Sequence, residues 1–150
     1  TEAYLDWPLP IAEAVRVSRL VRACWAEWRA RNGLWPVDDE SWDMTWSAGL
    51  EHRGTVIAEG QDGLFLRHTG RALWRRPDKT ERLGRDNAVL GASGLDRYRL
   101  CLETDCPVCV YAVFSMEADG KPFRGPILNL PWRLPSGGRI VTAVSERIAI

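Results

Sequence analysis

Cys101, Cys106 and Cys109 stand in a C-x4-C-x2-C spacing. That spacing matches the first three ligands of a plant-type iron–sulfur loop. The fourth ligand of such a loop lies downstream, whereas the remaining cysteine, Cys24, lies far upstream in a helical pattern. A zinc site of three thiolates and one imidazole would need His68 or His52 to complete it. Cys106-Pro107-Val108-Cys109 also runs into a strand-like stretch. Cluster ligands need a wrapping loop, and redox C-x-x-C pairs need a helix N-terminus. The simpler reading makes these thiols small buried hydrophobes.

General acid–base chemistry has one candidate set, His68 with Asp96 and Tyr98. It would suit a small lyase or isomerase built as a cone-shaped α+β barrel. Strand alternation places His68 beside Leu64 and Leu66 on one face, where a histidine is more often a satisfied core residue. No G-x-S-x-G, Walker or G-x-G-x-x-G stretch occurs. The 20 basic and 20 acidic residues cancel, which argues against a nucleic-acid or membrane surface. All the basic residues except Lys79 and Lys121 are Arg, read as composition bias in the source genome ahead of a binding role. No apolar stretch reaches the roughly 20 residues that span a bilayer. Four cysteines without a leader segment are the expectation for reduced thiols in a cytoplasm.

The elements that would position these groups follow from periodicity. At 150 residues with 45% hydrophobic and 27% charged residues, one globular domain is expected. Residues 1–10 read as an extended arm, because Pro8 and Pro10 block a helix there. Residues 11–50 form an N-terminal helical segment. A helix is expected over 11–32, with Ala14, Ser18, Val21, Cys24, Trp25 and Trp28 at three-to-four spacing and Asn32-Gly33 as its stop. A short helix carrying Trp42 and Trp46 follows, capped by Asp38 or Ser41. Residues 51–150 form the core. In it, 55–58 and 64–69 read as a hairpin across EGQDG. The stretch 78–98 is broken by Gly84, Gly91 and Gly94. Residues 95–103 read as a last helix. Then 107–116, 126–134 and 139–148 read as an antiparallel meander with turns at ADGKPFRG and PSGG. A hairpin, a helical crossover and a meander can close one five-stranded antiparallel sheet with helices laid on it, an α+β fold.

Three local stretches carry a resemblance. Trp25 to Pro36 (WAEWRARNGLWP), Phe65 to Gly70 (FLRHTG) and Leu128 to Arg139 (LNLPWRLPSGGR) resemble the Trp-bearing helix, the second strand and the penultimate strand of PAS domains. More narrowly, the chain is similar to stand-alone bacterial PAS-like proteins with an N-terminal helix. The resemblance implies a sensory or regulatory signalling module that binds a small molecule or a protein partner between sheet and helical connection, and that dimerises through the N-terminal helix. It departs from the cofactor-bearing branches. The flavin branch carries Gly-Arg-Asn-Cys where this chain has Gly84-Arg85-Asp86-Asn87, and the axial histidine of a haem branch has no counterpart on the connection. Flavin, haem and iron–sulfur are therefore not expected, and the cofactor stays unassigned.

Alternation along the meander makes both faces apolar, so the sheet needs two covers. The helical connection would cover one face, and the Trp-bearing N-terminal helix or a second subunit the other. The expected ligand lining is Trp74, Tyr98, Cys101, Val110, Phe114, Leu130 and Thr142, with Arg97 or Arg99 pairing with an acidic ligand group. The alternatives are a ligand-free dimerisation module and the cone-barrel enzyme.

Overall fold

Ser18 divides what periodicity reads as one helix. Helix α1 spans Ile11–Val17 and α2 spans Arg19–Ala30. Between them Ser18 is extended (φ −132°, ψ 118°), and its hydroxyl accepts the Val21 N–H at 3.1 Å. An N-cap serine satisfies a backbone donor that a helix start leaves orphaned. Arg22 closes the other side of the break by donating from Nε to the Val15 carbonyl at 2.8 Å. Ser18 is buried, so Ser18→Ala should lower unfolding free energy by about 1 kcal/mol in urea denaturation.

The structure, a computed structural model, describes residues 3–35, 54–60, 63–68, 81–82, 89–115, 122–145 and 148–149. Side chains are described for 4–35, 96–115, 122 and 124–145. The short helix expected around Trp42 and Trp46 lies outside the described residues.

Strand β1 (Ala3–Pro8) is followed by the two helices and then by strands β2 (Gly54–Gly60), β3 (Gly63–His68) and β4 (Glu81–Arg82). Helix α3 (Val89–Thr104) leads into β5 (Val108–Ser115), β6 (Pro122–Arg133), β7 (Arg139–Ser145) and β8 (Ile148–Ala149). One antiparallel sheet runs β1-β5-β6-β7-β2-β3-β4, with β8 paired to β6. The fold class is α+β.

The sheet has eight strands among the described residues where five were expected, β6 takes in residues 122–125 of the expected ADGKPFRG turn, and three further expectations change. The N-terminal arm is a strand that pairs with β5, from Ala3 opposite Ser115 to Pro8 opposite Val110. The last helix begins at Val89 and contains Gly91 and Gly94. A glycine inside a helix costs about 1 kcal/mol, and the packing of Tyr98, Cys101 and Leu102 on the sheet offsets it. The last meander strand ends at Ser145, and Ile148–Ala149 pairs separately with Phe123 and Arg124.

Register defines the two faces. Cys109 lies opposite Leu128, Leu128 opposite Val144, and Leu130 opposite Thr142. This face packs on α1 and α2 through Ala14, Val21 and Cys24, with Trp35 and Trp132 fully buried and their rings edge to face at 5.2 Å. The other face carries Val108, Val110, Ala112, Ile127, Asn129, Val141 and Ala143, with α3 over it. Both covers therefore come from within the chain.

Beyond Asn129, β5 no longer flanks β6, and the segment that follows α2 replaces it. Asn32 N–H bonds to Arg29 O and Gly33 N–H to Trp28 O, the paired bonds of a Schellman stop. Trp35 N–H then donates to Arg133 O, and Arg133 N–H to Gly33 O, both at 2.8 Å. Pro131 offers no N–H, but its carbonyl accepts the Trp28 indole at 2.7 Å. Gly33 sits at φ 69°, and a Cβ there would lie 3.2 Å from that indole nitrogen. Gly33→Ala should therefore cost about 1–2 kcal/mol, read from a urea midpoint.

Candidate functional site

The face under α3 differs from the face under α2 in carrying charge. Residues of β1 alternate, so Tyr4 and Asp6 lie opposite Phe114 and Ala112 on the α3 side, while Leu5 and Trp7 lie on the other. Trp7 accordingly stacks on Tyr111, ring centroids 5.3 Å apart. Arg97 reaches from α3 to this pair. Its Nη1 donates to the Tyr4 hydroxyl and, at 3.2 Å, to Asp6 Oδ2. Tyr4 donates its own proton to Asp6 Oδ2 at 2.7 Å. The guanidinium carbon lies 5.4 Å from the Tyr4 ring centre and 5.9 Å from that of Tyr98, within cation–π range.

The Arg97 side chain is 10% exposed and that of Asp6 31%. The pair is thus largely withdrawn from water, where each charge depends on the other. Burial raises the Tyr4 pKa well above the usual tyrosine range, and Arg97 partly offsets this. Tyr98 is raised for the same first reason, again opposed by Arg97. Both remain neutral hydroxyls at pH 7.

One turn further along α3, the Cys101 thiol donates to Cys106 O at 3.2 Å and lies 3.6 Å from Asn129 O. Asn129 is fully buried and donates from Nδ2 to Val108 O at 3.1 Å. Two polar atoms of this face are buried without a hydrogen-bond partner among the described residues, Arg97 Nε and Asn129 Oδ1. Buried polar groups are nearly always paired, so each such atom requires a reason.

Tyr98, Cys101, Val110 and Phe114 all lie on the α3 face, in two adjoining clusters. Leu130 and Thr142 do not. They lie opposite one another on the α2 face, where Thr142 accepts the Trp132 indole at 2.9 Å. The expectation mixed the two faces because each is apolar. Arg97 does pair with an acidic group, but that group is Asp6 of the chain itself. Arg99 is exposed, and Trp74 lies outside the described residues. Tyr4, Asp6 and Asn129 are additions; the polar–apolar alternation of 4–7 was the available signal for the first two.

The thiols do not converge. Cys101 packs on the α3 face, Cys109 belongs to the α2-side core, and Cys106 is exposed. Burial pushes the Cys24 and Cys101 pKa values to about 12 and that of Cys109 to about 11. A thiol is nucleophilic or metal-binding as its thiolate, so these three are packing groups at neutral pH. Among the described residues no group of three or more His, Cys, Asp or Glu is placed to hold a metal. The acid–base set fares similarly, since Asp96 is exposed while Tyr98, two residues on, is buried. Residues two apart on a helix do not face each other. The side chain of His68 lies outside the described residues.

No family model, curated protein or solved structure matches this chain. Among the described residues no helix is long and apolar enough to cross a membrane.

Proposed function

We propose that this chain is a PAS-like sensory or regulatory module that takes a small molecule or a protein partner on its α3-covered face. The observation that carries the reading is the strand order of the sheet. Hairpin β2–β3 joins the β5–β6–β7 meander through the β2–β7 pairing, and α3 lies across one face. In this reading β2, β3, β5, β6 and β7 are the five core strands, and β1, β4 and β8 are additions. The separated buried thiols fit a reducing cytoplasm. The polar cluster on one face, against an apolar core on the other, supports placing recognition under α3. Ligand sites in general pair an apolar lining with a few placed polar groups.

The test is extraction. Protein purified from its own source is denatured, and the released small molecules are compared by mass spectrometry with a mock preparation. A compound near one per chain is expected; a blank extract removes the small-molecule branch and leaves the protein-partner branch.

Dimerisation without ligand is the second reading. The apolar side of α2 is used on the sheet, so the surface favoured here is the open edge of β1, where Leu5 is 64% and Trp7 43% exposed. An unpaired edge strand is a template for strand pairing. Light scattering on a Leu5→Lys variant tests it: an unchanged mass would reject this surface.

A further inference from the structure

The reading that a ligand binds under α3 leaves its chemical class open, and the Arg97 geometry narrows it. A guanidinium carries five donors in a planar fork. Asp6 and Tyr4 both engage Nη1, so the chain's own carboxylate meets the fork at one tip. Nε, on the edge best suited to accept a second group, is buried without a partner among the described residues. Small residues lie in the row beneath. Asp6 stands opposite Ala112, and Ala112 opposite Gly125. With the Arg97 side chain only 10% exposed, Nε is the buried donor of the group left open among the described residues, while Nη1 is already used by Asp6 and Tyr4.

Charge then decides which acceptor. Asp6 already balances Arg97, and among the described residues no second cation contacts the pair. A further anion here would be a buried charge without a counter-ion among the described residues, which is strongly unfavourable. A carbonyl or similar neutral acceptor satisfies Nε without that cost. We propose that Asp6 is the specificity determinant of the site: by neutralising Arg97 from within, it selects neutral ligands that present a hydrogen-bond acceptor to Arg97 Nε, and it rejects anions. This replaces the acidic ligand group expected from sequence.

The experiment follows the Arg97 Hε–Nε resonance by NMR in the full chain, assigned by its loss in Arg97→Lys. Acetamide and sodium acetate are titrated separately, with sodium chloride holding ionic strength constant. Acetamide is expected to shift the resonance along a saturating curve, with acetate at least about tenfold weaker. In Asp6→Asn, the order should reverse, because Arg97 then lacks its counter-charge. Acetate binding the wild type as well as acetamide, or a resonance unmoved by both, would overturn the proposal. So would an Asp6→Asn protein that folds and keeps the wild-type order. Failure here is separable from failure of the functional reading: a small molecule recovered by extraction alongside an unresponsive Arg97 would remove only the ligand class.

Discussion

Trp132→Ala is expected to cost about 3–5 kcal/mol, the range for emptying a buried aromatic site. The residue is fully buried near the C-terminal end of β6, edge to face with Trp35, and its indole donates to Thr142 at 2.9 Å within the core. Losses of this size unfold many small domains, which have only about 5–15 kcal/mol to lose. The milder Trp132→Phe separates the two contributions. It keeps an aromatic ring but removes the indole donor, and should cost roughly half as much. Thr142→Val leaves that donor buried without its acceptor, costing about 1–3 kcal/mol. Equilibrium urea denaturation of both single variants and the double variant checks this. A coupling of about 1 kcal/mol is expected, because contacting residues are non-additive.

The second large effect is alkaline destabilisation. Cys24 and Cys101 are held near 12 and Cys109 near 11, against an ordinary value of 9.0, chiefly by burial. A raised folded-state pKa means that the folded protein keeps its proton while the unfolded chain releases it. Stability from these thiols is therefore fully present below about pH 9 and is lost as pH rises from there through the folded values. Each thiol contributes a slope approaching about 1.4 kcal/mol per pH unit in that window. Tyr4 and Tyr98, also raised by burial, add the same sign at higher pH. Urea midpoints taken across pH 7 to 11 should be flat at first and then fall steeply. A Cys24→Ala variant should show a shallower fall, even though it starts from lower stability.

The hairpin and the meander were legible in the sequence, because β-rich runs between Gly- and Pro-containing turns leave few pairings. The helix break at Ser18 was less so. A serine on the apolar stripe satisfies helical periodicity, and only its bond to the Val21 N–H reveals it as a cap. Gly91 and Gly94 misled for the opposite reason, since tertiary packing outweighed their local cost. The site was half legible. Alternation sorts the residues of one strand into two sets, but it cannot match the sets of different strands until register is known. Val110 and Phe114 were thus grouped with Leu130 and Thr142, although Leu128 opposite Cys109 puts Leu130 on the other face. Asp6 was missed because its partner lies 91 residues away, a separation that no local pattern reports.

The proposed function divides labour between the faces: the α2 side is structural core, and the α3 side is the proposed recognition surface. Native-state hydrogen exchange measures this directly, because elements that admit ligands open at lower free energy than the core does. Amides of β1 and of α3 around Tyr98–Leu102 are expected to exchange through low-energy local openings. Those of Val21–Cys24 in α2 and Leu128–Leu130 in β6 should exchange only on global unfolding. Equal protection of α3 and α2, or earlier opening of α2, would contradict the account.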